Sequence, residues 1–414
     1  LAATCRAWRA DCRCAVAEVA VVGGGPVGAC AATLLARAGV AVTLLEPQLP
    51  QPPAPGSPLD ARVVALSRAS EKLLRAAGAW EGIAGERLAS YERMCVWHES
   101  AAPESAAALV FEAADVGEPN LGYILENRLL QAALLRAFSA AGGQLLRAPL
   151  AGLTLNADGV TLSTESGEVR ALLVIGADGA HSTVRAAAGL GADTHDYRQL
   201  AIIANISTEK PHRHTAWQRF MHDGTLALLP LCDGGSSIVW SADEARAQTL
   251  LGTDDAGFAE ALTQASDRVL GATRLTSARS SFVLRHLAAP RYVTERVALI
   301  GDAAHVVHPL AGQGVNLGLM DAAVLAEQVL AARAEREDPG ALRVLRGYER
   351  WRKSEVAFMS GAIDAFDRLL AHGTGPAARL AQSGLGLVNR APELRRFFIR
   401  RALGTSGELP RAAR

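Results

Sequence analysis

The sequence predicts an α/β fold: a Rossmann-like dinucleotide-binding domain interrupted by an inserted antiparallel β-sheet domain and followed by a helical C-terminal tail. Three observations predict it. Glu18 to Glu46 reads strand, glycine turn, helix, strand, acid, which is a βαβ unit and so a parallel sheet. Two later apolar strands, Leu172 to Ile175 and Val297 to Ile300, each run into a Gly/Asp junction. Between them, residues 197–240 show short strands separated by Asp223-Gly224 and Asp233-Gly234-Gly235, which is hairpin chemistry.

In chain order, the first seventeen residues hold Cys5, Cys12 and Cys14 among arginines but no apolar core, and read as a disordered leader. Glu18 to Val22 is a strand, Ala29 to Ala38 a helix stopped by Gly39, and Val40 to Leu45 a second buried strand. The prolines between Pro47 and Pro58 enforce an extended loop. Arg68 to Ala77 is a helix, Ser90 to Phe111 is strand-like, and Leu125 to Ala140 is helical. The insertion carries strands at Ala201 to Ile206, His214 to Phe220, Leu226 to Leu231 and Ser237 to Trp240. Ser241-x-x-Glu244 reads as a capping box. A long helix follows from about Gly314 to Ala334, and Pro339 to Arg414 reads as almost all helix. The implied division is a leader at 1–17, a nucleotide-binding domain from 18–89, 122–195 and 290–335, an inserted substrate domain from 90–121 and 196–289, and a helical region at 336–414.

Composition narrows the function. The 414 residues are 50% hydrophobic and 20% charged, enough for a large core. Lys+Arg and Asp+Glu are 42 each, an even balance that argues against a nucleic-acid partner. Six cysteines with no CxxC pair exclude a disulfide framework and argue against structural zinc. No run of about 18 apolar residues free of charges or glycine clusters supports a membrane-spanning helix.

Gly23, Gly25 and Gly28 satisfy GxGxxG between the first strand and first helix. There glycines permit a tight turn, close approach of a pyrophosphate and helix–strand packing. Glu46 follows at the end of the second strand, where a carboxylate accepts hydrogen bonds from ribose hydroxyls. NAD and FAD share this fingerprint. Asp302, after Gly301, points towards a flavin, because an acid there can bind a ribitol hydroxyl, and the run after it is more telling. The run from His305 to Asn316 then places Gly312 and Gly314 at the start of the long helix, whose free N–H groups would stabilise negative charge on a reduced flavin ring.

Four segments carry a resemblance: Val21–Gly28; Asp60-Ala61-Arg62-Val63-Val64-Ala65-Leu66-Ser67; Gly176-Ala177-Asp178-Gly179 with Ser182 and Arg185; and Gly301-Asp302 through Asp321. The string His308-Pro309-Leu310-Ala311-Gly312-Gln313-Gly314-Val315-Asn316-Leu317-Gly318-Leu319 is the most specific. The sequence resembles the flavin-dependent aromatic hydroxylases, and within them the ubiquinone-biosynthesis hydroxylase family of the UbiH/UbiF/VisC type, over roughly Val19 to Gly404.

The resemblance implies an FAD-dependent monooxygenase that uses NAD(P)H as a transient co-substrate and hydroxylates a polyprenylated phenol with O2 through a C4a-hydroperoxyflavin. It implies that Gly23, Gly25, Gly28 and Glu46 hold the ADP half of FAD, that Arg62 reaches the cofactor from the loop before the second helix, and that Asn127 sits against the ribitol. Asp178 and Gly179 would lie near the pyrophosphate, Asp302 at the ribitol, and Pro309, Gly312, Gly314 and Asn316 around the isoalloxazine. No acid–base residue is identified. His305 and His308 read as structural or cofactor-packing groups before proton-transfer groups, and Trp217, Met221 and Leu229 as core before substrate wall. Rival readings are the same fold acting on a small aromatic acid or a prenyl chain, and a flavin-stabilised assembly subunit.

The tail bears on location. Leu394, Phe397, Phe398 and Arg401 share a helical face, with Arg390, Arg395, Arg396 and Arg400 around it. That pattern suits either an anionic membrane surface or a helix packed on its own protein. The expectation is a cytoplasmic enzyme, peripheral at the inner face of the cytoplasmic membrane and in contact with other ubiquinone-biosynthesis proteins.

Overall fold

The computed structural model describes residues 14–54, 56–85, 87–307, 312–366 and 391–414. Its helices are α1 (Pro26–Arg37), α2 (Arg68–Ala76), α3 (Asn127–Ala140), α4 (Thr183–Ala187), α5 (Glu244–Gly252), α6 (Asp255–Ala265), α7 (Gln313–Ala334), α8 (Leu342–Phe366) and α9 (Pro392–Ala402).

A six-stranded sheet runs in the order Val293–Thr294, Val297–Leu299, Leu173–Gly176, Val19–Val22, Val42–Leu45, Gln144–Leu146. Every neighbouring pair is parallel except the first. The strands at 19–22, 42–45 and 173–176 are buried throughout, as a parallel sheet covered on both faces requires. Helix α1 packs between this sheet and α3 and α7.

A nine-stranded sheet forms the second layer: His305–Val306, Ser280–Ala288, Asp193–Thr208, Ser236–Asp243, Gly224–Pro230, Thr215–Met221, Arg93–His98 and Leu109–Glu112, with Thr273–Leu275 beside Asp193–Thr208. It is antiparallel apart from the parallel pairing of Thr215–Met221 with Arg93–His98. Its far face carries Ile202, Leu226, Leu228 and Trp240 against Phe258 and Leu262 of α6. Each such large side chain contributes about 1.5–3 kcal/mol of burial. Its near face looks toward the parallel sheet and is sealed on one side by Val96, Phe220, Val307 and Leu317, and on another by Ala65, Ala89, Ile124 and Leu231.

Several elements differ from the sequence reading. Cys14–Val16 is a strand paired with Gly167–Ala171, so this part of the expected leader is ordered; residues 1–13 lie outside the described residues. Leu125 belongs to the strand Gly122–Glu126, where it pairs with Val64, and α3 begins at Asn127. Ser241 is no cap: it stays in its strand opposite Ala201, and Asp243 is the residue before α5. Helix α7 is long and apolar enough in composition to cross a membrane, yet 67% of that window is buried within the protein, as in a core helix.

In the tail, residues 403–410 are not helical, and residues 367–390, Arg390 included, lie outside the described residues. The face that anchors α9 is Ile399 with Leu403, packed on Ala113 and Leu121, not the expected stripe. Arg395 and Arg401 are committed to Asp115 and Glu355 at 2.6 and 2.7 Å. Leu394 and Phe397 face outward.

Candidate functional site

A cavity of about 480 Å³ lies between the near face of the antiparallel sheet and the ends of the parallel strands. The turn after Val22 shapes one wall. Gly23 has φ +101°, and a Cβ there would sit 2.4 Å from the Ala177 carbonyl oxygen; one on Gly28 would sit 2.0 Å from the Gly23 oxygen. Those two glycines let α1 press onto the sheet. Gly25 differs: its Cβ would meet nothing within 4 Å and would project into the open space over the helix start. Helix α1 begins with Pro26 and has no side-chain cap, so its first N–H groups are left for a ligand.

The second wall is the junction after Leu299. Gly301 has φ +57° and donates its N–H to Asp321 Oδ2 at 3.0 Å, which turns Asp302 into the cavity. Crowding by protein pushes the Asp302 carboxyl above its ordinary value, against the pull of His305 and Arg62. Arg62 lines the same cavity. The third wall is the start of α7, where Gly312 caps the helix with φ +62°, and among the described residues no side chain caps it and none comes within 4 Å of a Cβ built on Gly314.

Of the residues expected at a cofactor, Gly25, Arg62, Asn127, Gly179, Asp302, Gly312 and Gly314 line this cavity. Pro309, with His308, Leu310 and Ala311, lies outside the described residues. Three others do different work. The Asp178 carboxylate turns away to cap α4, accepting from Thr183 N–H at 2.7 Å, Val184 N–H at 3.1 Å and the Ser182 hydroxyl at 2.5 Å. Glu46 grips the glycine turn, accepting from Gly24 N–H at 2.7 Å and Gln48 N–H at 2.8 Å. Asn316 is buried behind the wall, donating to the Ala65 oxygen at 2.8 Å and accepting from Ser67 N–H at 2.9 Å.

Two buried carboxylates were missed. Asp321 is fully buried and accepts from His305 Nε2 at 2.6 Å and Arg352 Nε at 2.7 Å. Burial works to raise its carboxyl, but the charges and hydrogen bonds of His305 and Arg352 outweigh it and hold the group below its ordinary value. A lone acid amid the apolar residues 317–326 was the available signal. Glu126, also buried, accepts from Arg87 at 2.6 Å, Arg128 at 2.9 Å and Asp60 N–H at 2.8 Å, while Asn127 N–H donates to the Arg62 oxygen at 3.0 Å. The junction 126–127 thereby holds the loop that carries Arg62. Burial again opposes, and the arginines and Asp60 N–H again win, so Glu126 is held below its ordinary value.

The sheet supplies the last wall. Gln218, Ala227, Val239 and Ile203 stand opposite one another across four strands, and all four line the cavity. Leu229 lines it too. Trp217 touches its edge, but its ring packs at 6.2 Å, edge-on, against Trp97 in the far-face core, where Met221 also lies. Tyr91 lines the cavity with its phenol pushed up to about 12 by burial, so it stays a hydrogen-bond donor at neutral pH. Among the described lining residues the charged side chains are Arg62 and Asp302.

Comparison with known proteins places the fold and the site in context. The FAD binding domain family matches residues 16–356. The chain is similar to the ubiquinone hydroxylase UbiL of Rhodospirillum rubrum, 37% identical over 393 residues that cover 94% of this chain and 90% of that one. It is as similar to the 3-demethoxyubiquinol 3-hydroxylase of Escherichia coli, 37% identical over 391 residues, 94% of this chain and 98% of that one. Among solved structures, p-nitrophenol 4-monooxygenase PnpA from Pseudomonas putida superimposes with a TM-score of 0.76 at 22% identity, covering 95% of this chain and 100% of that one, a likeness of fold.

Proposed function

The chain belongs to the FAD binding domain family, and from that premise we propose that it is an FAD-dependent, NAD(P)H-using monooxygenase that hydroxylates the ring of a polyprenylated phenol in ubiquinone biosynthesis. One observation carries the reading: a single cavity is walled on one side by bare backbone and on the other by a mostly apolar sheet face.

The residues fit the cofactor. Gly25, Gly179 and Gly314 line the cavity, and a Cβ on any of them would meet no atom of the described residues within 4 Å, a cradle that side chains would fill. Two helices without side-chain caps, α1 and α7, open onto it. Gly25 with the α1 N–H groups would hold the pyrophosphate, Asp302 the ribitol, and Gly312 and Gly314 the edge of the flavin ring. Gly23 and Gly28 would set the turn, Glu46 would brace it within reach of the ribose, and Arg62, Asn127 and Gly179 would flank the cofactor. When bound, FAD supplies the electron transfer from NAD(P)H and the activation of O2. The chain's own part is to orient the phenol over that ring and keep water out, for which the sheet face is suited.

The site disfavours a small aromatic acid. The cavity's one lining cation among the described residues, Arg62, is assigned to the cofactor, and the sheet face over it is uncharged and mostly apolar, which suits a neutral ring better than a carboxylate. The fitting substrate is an uncharged phenol. A prenylated phenol partitions into membranes, and the outward Leu394, Phe397 and Phe358, 43%, 50% and 53% exposed, would dock the enzyme at the inner face of the cytoplasmic membrane, near other enzymes of the pathway.

The test is direct. Purified flavin-loaded protein, NAD(P)H and a polyprenylated phenol should yield a product with one oxygen from labelled O2. A flavin-loaded protein that consumes NAD(P)H with no phenol hydroxylated overturns the reading.

A further inference from the structure

The near face of the antiparallel sheet holds a polar group that the architecture leaves unsatisfied. Thr225 Oγ1 is buried without a hydrogen-bond partner among the described residues, although the residue lines the cavity. Its neighbour Leu226 points into the far-face core, so the alternation of the strand directs Thr225 to the cavity side. A buried hydroxyl left unpaired is costly, and in a cavity wall its natural partner is a ligand atom.

The register shows what lies beside it. Thr225 stands opposite Ser241, Ser241 opposite Ala201, and Ala201 opposite Phe282. This rank crosses the sheet in a straight line: two hydroxyls, one methyl, one phenyl ring. Thr225, Ser241 and Phe282 all line the cavity. Thr225 is 4% exposed and Phe282 is 43% exposed, so the hydroxyl end of the rank is buried and the phenyl end is open to solvent. Three strand spacings separate the ends, about 14 Å.

Resting on the monooxygenase reading above, we propose that this rank is an oriented track for an amphiphilic phenol. Thr225, with Ser241 beside it, takes an oxygen carried on the ring. Ala201 between them is covered by the protein, and the apolar tail leaves the cavity along Phe282. Thr225 and Phe282 are thus specificity-determining residues with separable tasks.

The experiment titrates the flavin-loaded enzyme with 2-methylphenol and with 2-farnesylphenol, following perturbation of the bound flavin's visible absorbance. T225V should weaken both ligands about tenfold, leaving their affinity ratio unchanged. S241A should do the same to a smaller extent. F282S should lower the preference for the farnesyl ligand about tenfold. Wild-type affinities in T225V and S241A, or an equal loss of both ligands in F282S, overturn the track while leaving the monooxygenase reading intact. A wild-type enzyme that binds neither phenol overturns that reading, and the track with it.

Discussion

The carboxamide of Asn316 joins the long helix α7 to the start of α2, accepting from Ser67 N–H at 2.9 Å and from the Ser70 hydroxyl at 2.7 Å while donating to the Ala65 oxygen at 2.8 Å. Both hydrogen-bonding ends of the side chain are used, and all partners are buried. Asn316→Asp keeps the acceptor and loses the donor, orphaning the Ala65 carbonyl. We expect a loss of about 1–3 kcal/mol in urea denaturation of the apoprotein. An unchanged midpoint would contradict this latch.

The glycines of the first turn should separate folding from cofactor retention. Gly25→Ala adds a methyl over open space at a φ of −60°, so stability should hold while flavin retention falls at least tenfold, on the order of 1.4 kcal/mol. Gly28→Ala drives a Cβ to 2.0 Å from the Gly23 oxygen and should impair folding itself. Equal stability of the two apoproteins would remove the distinction.

Asp302 should behave as a residue held at a cost. Its carboxyl is pushed up by crowding, so above its folded-state value the ionised form disfavours the folded protein. At neutral pH, Asp302→Asn should leave the apoprotein as stable as wild type or more so, while weakening flavin binding. A destabilised apoprotein would refute this.

Asp321 should behave oppositely. Its folded value lies below the ordinary 3.8, so its contribution is present above that value and is lost as pH falls through the folded value. Asp321→Asn strands buried Arg352 and should cost about 3–5 kcal/mol near pH 7, with a shallower loss of stability below pH 4 than wild type. Parallel acid denaturation curves for the two proteins would argue against it.

Membrane docking can be tested without disturbing the fold. Deleting 392–414 would also remove Ile399 and Leu403, which are buried against Ala113 and Leu121. Leu394→Glu with Phe397→Glu changes outward residues alone. Sedimentation with anionic liposomes should fall while the melting temperature holds. Unchanged sedimentation would locate the enzyme elsewhere.

The sequence disclosed the parts of the site made by backbone. Gly25, Gly312 and Gly314 could be read because a glycine pattern between strand and helix has few other uses. Side chains were harder. Asp178, Glu46 and Asn316 fall within the right motifs, and each also hydrogen-bonds the protein itself, a bracing task that no spacing rule reveals. Glu126 and Asp321 went unnoticed because their partners, Arg87, Asp60 and Arg352, are distant along the chain. The Ser241–Glu244 pair misled because capping competes with strand pairing, and the ladder to Ala201 and Thr225 won. The same ladder ranks Thr225 with Phe282, an alignment that depends on register across four strands.

The segment after α9 returns to the front of the molecule. Leu403 O accepts from Ala69 N–H at 3.1 Å, and Arg411 N–H reaches Glu327 on α7 at 2.9 Å. It bolts down the very turn that Asn316 secures, and it is synthesised after everything it fastens. A protein cut before Leu403 would keep the Asn316 bonds and lose these two, leaving that turn clamped from one side only.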